Sequence, residues 1–180
     1  MTPALVACIV ALLITGIAAA TDYKTGLIPN WLTLPTLGLA LVGWAIVAWP
    51  SGLFQALFGA FACGLPLYVL FRIDPDGCGG GDVKLFAALG AVIHYEMGLE
   101  SLFFTLCATA VWALVKLAWQ GKIWRTLKNS GLLFLNMFLP KSRKHEIPPG
   151  EKTTIRLGGF AFFGTLISVV LHQPQIMVLL

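Results

Sequence analysis

Charge is scarce in this sequence. Asp, Glu, Lys and Arg make up only 11% of its 180 residues, and none of them lies between Lys24 and Arg72. A chain so poor in charge cannot clothe a water-facing surface, and 58% apolar residues with a mean hydropathy of +0.85 place it among polytopic membrane proteins. Cysteine is thin as well: Cys8, Cys63, Cys78 and Cys107 form no CxxC and no Cys/His spacing. With His94, His145 and His172 widely separated, neither a structural zinc site nor any other metal is expected. No internal repeat or low-complexity tract occurs, which counts against a carrier built from repeated halves. The basic residues come without the aromatic-basic platform that binds nucleic acid, so no nucleic-acid partner is expected.

What is present is apolar sequence in span-length pieces. About 20 mostly apolar residues cross the hydrocarbon. Such runs occur at roughly Pro3 to Thr21, Asn30 to Trp49, Leu53 to Phe71, Val83 to Met97, Ser101 to Trp119 and Leu157 to His172. They predict an all-α membrane bundle of about six transmembrane helices, forming a single membrane-embedded domain over residues 1–180. Pro50-Ser51-Gly52 makes a tight turn between the second and third helices, and residues 94–100 make the loop between the fourth and fifth. Ile17-Ala18-Ala19-Ala20 resembles a signal cleavage site, but the run has no basic beginning, so it reads as a retained span.

Lys and Arg gather in cytoplasmic loops. Under the six-helix reading they all fall on one side, which predicts an outside N-terminus. The sizeable extramembrane part is the basic connection at about 120–156. Its cluster of Trp124, Leu127, Leu132, Phe134 and Phe138 beside Lys122, Arg125 and Lys128 suits a helix lying on anionic membrane lipids. A short re-entrant hairpin is the alternative.

Two carboxylates stand out against this background. Asp22 closes the first apolar run, and Gly79-Gly80-Gly81-Asp82 opens the fourth, so both fall at the cytoplasmic face. Ionisable groups at membrane depth are costly enough to be presumed functional. The fourth run offers only about 22 Å of helix against roughly 30 Å of hydrocarbon, so either the bilayer thins there or the glycine loop dips inward and carries Asp82 with it. The plainer reading makes both aspartates ordinary helix-end residues, with Asp82 as a cap. Asn30 is expected to cap the second helix, Ala56, Ala60 and Gly64 to form a packing seam, and Lys84 either to steady the aspartates or to anchor at the interface.

The segment Asp22-Tyr23-Lys24-Thr25-Gly26-Leu27-Ile28-Pro29-Asn30, followed by Gly79-Gly80-Gly81-Asp82-Val83-Lys84-Leu85, resembles the type IV prepilin peptidase family of GxGD intramembrane aspartyl proteases. The small size is most similar to the branch serving tight-adherence pili. The resemblance implies that Asp22 and Asp82 are catalytic and that Gly79, Gly81, Lys84, Ile28 and Pro29 support them. It implies no cofactor, a prepilin or pseudopilin substrate with a short basic leader, and a place in the bacterial inner membrane. Asp74 and Asp76 would either attract that leader or form an ordinary solvated acidic turn. Larger members that also methylate the mature pilin carry paired CxxC motifs in a cytoplasmic insertion. Here the link from Asp22 to Asn30 is short and has no cysteine, so methyltransferase activity is not implied. The Pro-aromatic-Gly element that the family has near its last span is matched only loosely, by Pro148-Pro149-Gly150 or Phe162-Phe163-Gly164.

Two close carboxyl groups cannot easily both ionise, so one stays protonated while the other acts as base. That is the equipment for activating water and polarising a peptide carbonyl. A proton- or cation-coupled carrier using the same aspartates is the alternative. A calcium loop over Asp74, Asp76 and Asp82 fails on Pro75 and on Leu85 at the twelfth position.

Overall fold

The computed structural model describes residues 2–73, 78–119 and 156–178, with side chains described through residue 172. Apart from short links they are helical, in α1 (Pro3–Thr25), α2 (Asn30–Val47), α3 (Ser51–Ile73), α4 (Gly80–Trp119) and α5 (Leu157–Val178). One compact unit comprises residues 1–108 and 156–180; a second comprises 109–155, of which only the last turns of α4 are described. Asp74, Asp76 and residues 120–155 of the basic connection lie outside the described residues.

Four helices, α1 to α4, are long and apolar enough to cross a membrane, and α5 holds the shorter apolar stretch Leu157–His172. The 40-residue α4 is not one rod. At His94 the backbone takes φ 61° and ψ 176°, a region that side chains avoid. A Cβ added to Gly98 would lie 3.1 Å from the Gly90 Cα, whereas eight residues of straight helix would separate them by about 12 Å. The chain therefore doubles back, and α4 supplies two arms, residues 80–93 and 95–119. The expected 94–100 loop is corrected: residues 95–100 are helical, and the reversal takes one residue. Trp44 holds that corner, with its indole 4.2 Å from the His94 ring and its Nε1 donating to the Val92 carbonyl at 3.1 Å.

The first helix also outruns its expected end at Thr21. It stops at Gly26, which sits at φ 69° and donates its N–H to the Asp22 carbonyl at 2.9 Å. This is a left-handed glycine cap. A Cβ there would meet nothing within 4 Å, so Gly26→Ala should cost about 1 kcal/mol from backbone conformation alone, and Gly26→Asn less. Thermal unfolding in detergent would read both.

Asn30 proves not to be a cap. It is the first residue of α2, Pro29 occupies the cap position, and no side chain caps that helix. The seam on α3 holds at Ala56 and Gly64 but not at Ala60. Its buried stripe runs Gly52, Ala56, Gly59, Cys63, Gly64 and Leu67, while Ala60 is only half-buried. Gly59 and Gly90 touch backbone to backbone, so a Cβ on either would strike the other's carbonyl. In lipid, helices gain little from burying apolar surface against each other, and close backbone contact through small residues supplies the attraction instead.

On the opposite flank α5 packs against α1 and against the second arm of α4. A ladder of buried hydroxyls joins them. Ser101 and Thr165 share a hydrogen bond of 2.8 Å, Thr105 donates to the Ser101 carbonyl at 2.7 Å, and Ser168 donates to the Met97 carbonyl at 3.1 Å. Every one of these hydroxyls is satisfied, as buried polar groups must be where no water is available. Large apolar side chains such as Leu39, Ile46 and Phe61 point outward, the arrangement a hydrocarbon solvent favours.

Candidate active site

The last turn of α1 carries Asp22 inward, leaving it 6% exposed. Its Oδ2 accepts the N–H of Gly158 at 2.9 Å, and Gly158 is the second residue of α5, where backbone N–H groups have no partner within the helix. No other residue fits at 158. A Cβ would lie 2.8 Å from the Asp22 Cβ and 2.9 Å from its Oδ2.

Asp82 occupies the third position of α4. Its Oδ2 accepts the N–H of Gly79 at 3.1 Å, and its own N–H returns to the Gly79 carbonyl at 3.1 Å. The geometry is the acidic half of a capping box, so Asp82 does serve its helix start, from the third position rather than as the cap itself. Both carboxylates are thus held by backbone N–H groups at helix N-termini, the positive ends of helix dipoles. Among the described residues neither has an ion-pair partner.

Two contacts draw the turns together. The link from α1 to α2 presses on the glycine-rich turn at Gly81, where a Cβ would lie 3.0 Å from the Ile28 Cβ. Lys84 Nζ donates to Asn30 Oδ1 at 2.9 Å, so Lys84 ties the start of α4 to the start of α2. The sequence offered two roles for it, interfacial anchor and electrostatic support; the contact observed is a bridge to Asn30. Asp22 at the end of α1 and Asp82 at the start of α4 therefore lie at the same end of the bundle. Beside them a cavity of about 520 Å³ is lined by Thr21, Thr25, Ile28, Pro29 and Trp31 among others. A second, apolar cavity of about 530 Å³ lies along Pro3 to Ile14 of α1, toward the helix end remote from Asp22. Among the described residues no three His, Cys, Asp or Glu gather as metal ligands.

Two residues near the site escaped the sequence. Gly158 holds Asp22 from 136 positions away, and Arg156 donates from Nη1 to the Tyr23 carbonyl while its guanidinium lies 5.9 Å from the Tyr23 ring centroid. The available signal was Gly158-Gly159 opening the last apolar run.

The type IV leader peptidase family matches residues 8–114, a stretch holding both aspartates and the turns that present them. The chain belongs to this family. Its curated relatives include a prepilin leader peptidase/N-methyltransferase of Bacillus subtilis, 38% identical over 53% of this chain and 38% of that protein. One of the same name from Burkholderia pseudomallei is 37% identical over 58% of this chain and 35% of the relative. The prepilin peptidase EppA of Methanothermobacter thermautotrophicus is 37% identical over 53% of this chain and 25% of that protein. The chain therefore spans only between a quarter and two-fifths of the length of these leader peptidase relatives. No solved structure matches it. The family match ends before α5, so Gly158 and Arg156 lie beyond it.

Proposed function

We propose that this chain is an intramembrane aspartyl endopeptidase that removes the basic leader from prepilin-like substrates, with Asp22 and Asp82 as its catalytic pair. The observation that carries the reading is the convergence of two carboxylates, each fixed by a backbone N–H, on one end of an apolar helical bundle. The names of the relatives supply the substrate class. The two-carboxylate site serves the peptidase part of those names, and the proposal stops there.

The ionised carboxylate takes a proton from water as the water oxygen bonds to the scissile carbonyl carbon, while the protonated partner polarises the carbonyl oxygen. Collapse of the tetrahedral intermediate breaks the C–N bond and delivers a proton to the leaving amine. Gly79 and Gly81 let the turn fold tightly against Ile28, Pro29 fixes the entry into α2, and Lys84 braces the two helix starts through Asn30. The distribution of Lys and Arg supports an outside N-terminus and a site facing the cytoplasm of the bacterial inner membrane. There the leader would be cut beside membrane lipids, with Asp74 and Asp76 attracting its positive charge. The small size supports the tight-adherence pilus branch.

Co-expression with tagged prepilins tests the activity. A mobility shift accompanied by a new N-terminus at the leader boundary is expected. Unchanged mobility of every tight-adherence prepilin offered, with the enzyme present in the membrane, would sink the proposal.

A further inference from the structure

We infer that Arg156 is a positioning residue for Asp22, acting through a reciprocal cap between the end of α1 and the start of α5. The inference rests on the reading of Asp22 as catalytic.

A helix leaves its last carbonyls and its first N–H groups without internal partners. At the end of α1 the Asp22 carbonyl is taken by Gly26, and the next, that of Tyr23, is taken by Arg156. At the start of α5 the Gly158 N–H is taken by the Asp22 carboxylate. Each helix therefore caps the other. A cation from the residue before α5 meets the negative end of α1, and an anion from the last turn of α1 meets the positive end of α5, so both charges lie where the dipoles favour them.

One residue, Leu157, separates the two ends of this clasp on the α5 side. Arg156 grips Tyr23, and Gly158 grips Asp22, the residue just before Tyr23. Tyr23 is 79% exposed, so among the described residues the Arg156 guanidinium is the contact its ring makes. The ring lies under the guanidinium at 5.9 Å, a cation–π contact that a lysine reproduces less well. Gly158 approaches Asp22 with no room for a Cβ. If Arg156 lets go, the first turn of α5 is free to swing, and the carboxylate loses the N–H that sets its orientation.

The test uses the full chain, purified in detergent, with a prepilin substrate. Arg156→Gln is expected to lower kcat about tenfold or more with KM changed less than about twofold, because a displacement of about 1 Å at a reacting group can cost up to about a hundredfold. Arg156→Lys, which keeps charge and a donor, should recover most of that loss. Tyr23→Leu removes the ring but keeps the carbonyl, so it should lose less than Arg156→Gln. Unchanged kcat in Arg156→Gln, a loss confined to KM, or equal losses in the Lys and Gln variants would overturn the inference. Asp22→Asn is run alongside. If it still cleaves, the catalytic reading itself fails; if it is dead while Arg156→Gln matches wild type, only the clasp fails.

Discussion

Asparagine at position 22 or 82 is expected to lower kcat/KM for leader removal by at least about 10³-fold, the scale on which a positioned acid or base contributes. The substitution is close to silent for the fold. Asn keeps an oxygen that can accept from Gly158 or Gly79, so the helix starts at α5 and α4 keep their partner. What disappears is the carboxyl that gains and loses a proton. Because the two groups act as a unit, the double variant should be little worse than either single one. Single-turnover cleavage, with each variant's thermal unfolding measured in the same detergent, separates chemistry from folding. Cleavage within tenfold of wild type in a well-folded single variant would remove that aspartate from the catalytic pair.

Valine at Gly59 or Gly90 is expected to be the most damaging change to the fold, costing more than about 3 kcal/mol. Overpacking usually costs about 1–3 kcal/mol because side chains can shift. Here the obstacle is the backbone of the facing helix, and Gly90 is further boxed in by the Cys63 sulfur, 2.8 Å from where its Cβ would stand. Neither helix can retreat without opening the Gly98 contact at the α4 reversal, which uses the same sulfur. Gly38→Ala on α2 makes the control, since a Cβ there meets nothing within 4 Å and alanine favours helix. Unfolding in an SDS titration should separate the two by several kcal/mol. Equal stability of Gly59→Val and Gly38→Ala would mean that α3 and α4 do not meet as described.

Much of this architecture was legible because lipid imposes length. Apolar runs of about 20 residues announced the helices, and carboxylates at their ends announced the site. Orientation about each helix axis was not legible. A helix that is apolar on every side has no polar face to mark its outside, so the seam on α3 read correctly at Ala56 and Gly64, took in the half-buried Ala60, and missed Gly59 and Cys63. Asn30 looked like a cap because its residue type favours caps, whereas a tertiary bond from Lys84 claims its side chain. The reversal between the fourth and fifth runs was legible at residues 94–100, but its tightness was not: His94 alone makes the turn, and Trp44 holds it from another helix. Gly158 and Arg156 were hidden by distance along the chain. Their partners, Asp22 and Tyr23, are more than a hundred residues away.

The two carboxylates owe their countercharge to peptide groups, and that changes what a survey of this protein can detect. Alanine substituted in turn for each described side chain near the site would leave the dipoles of α4 and α5 where they are, and among the described residues no basic side chain pairs with the acids. The balance is set by where two helices begin. A residue inserted or deleted just ahead of Gly79 or Gly158, harmless by composition, would turn a different amide toward each acid. The chain's tolerance for length changes just ahead of α4 and α5 is therefore narrow.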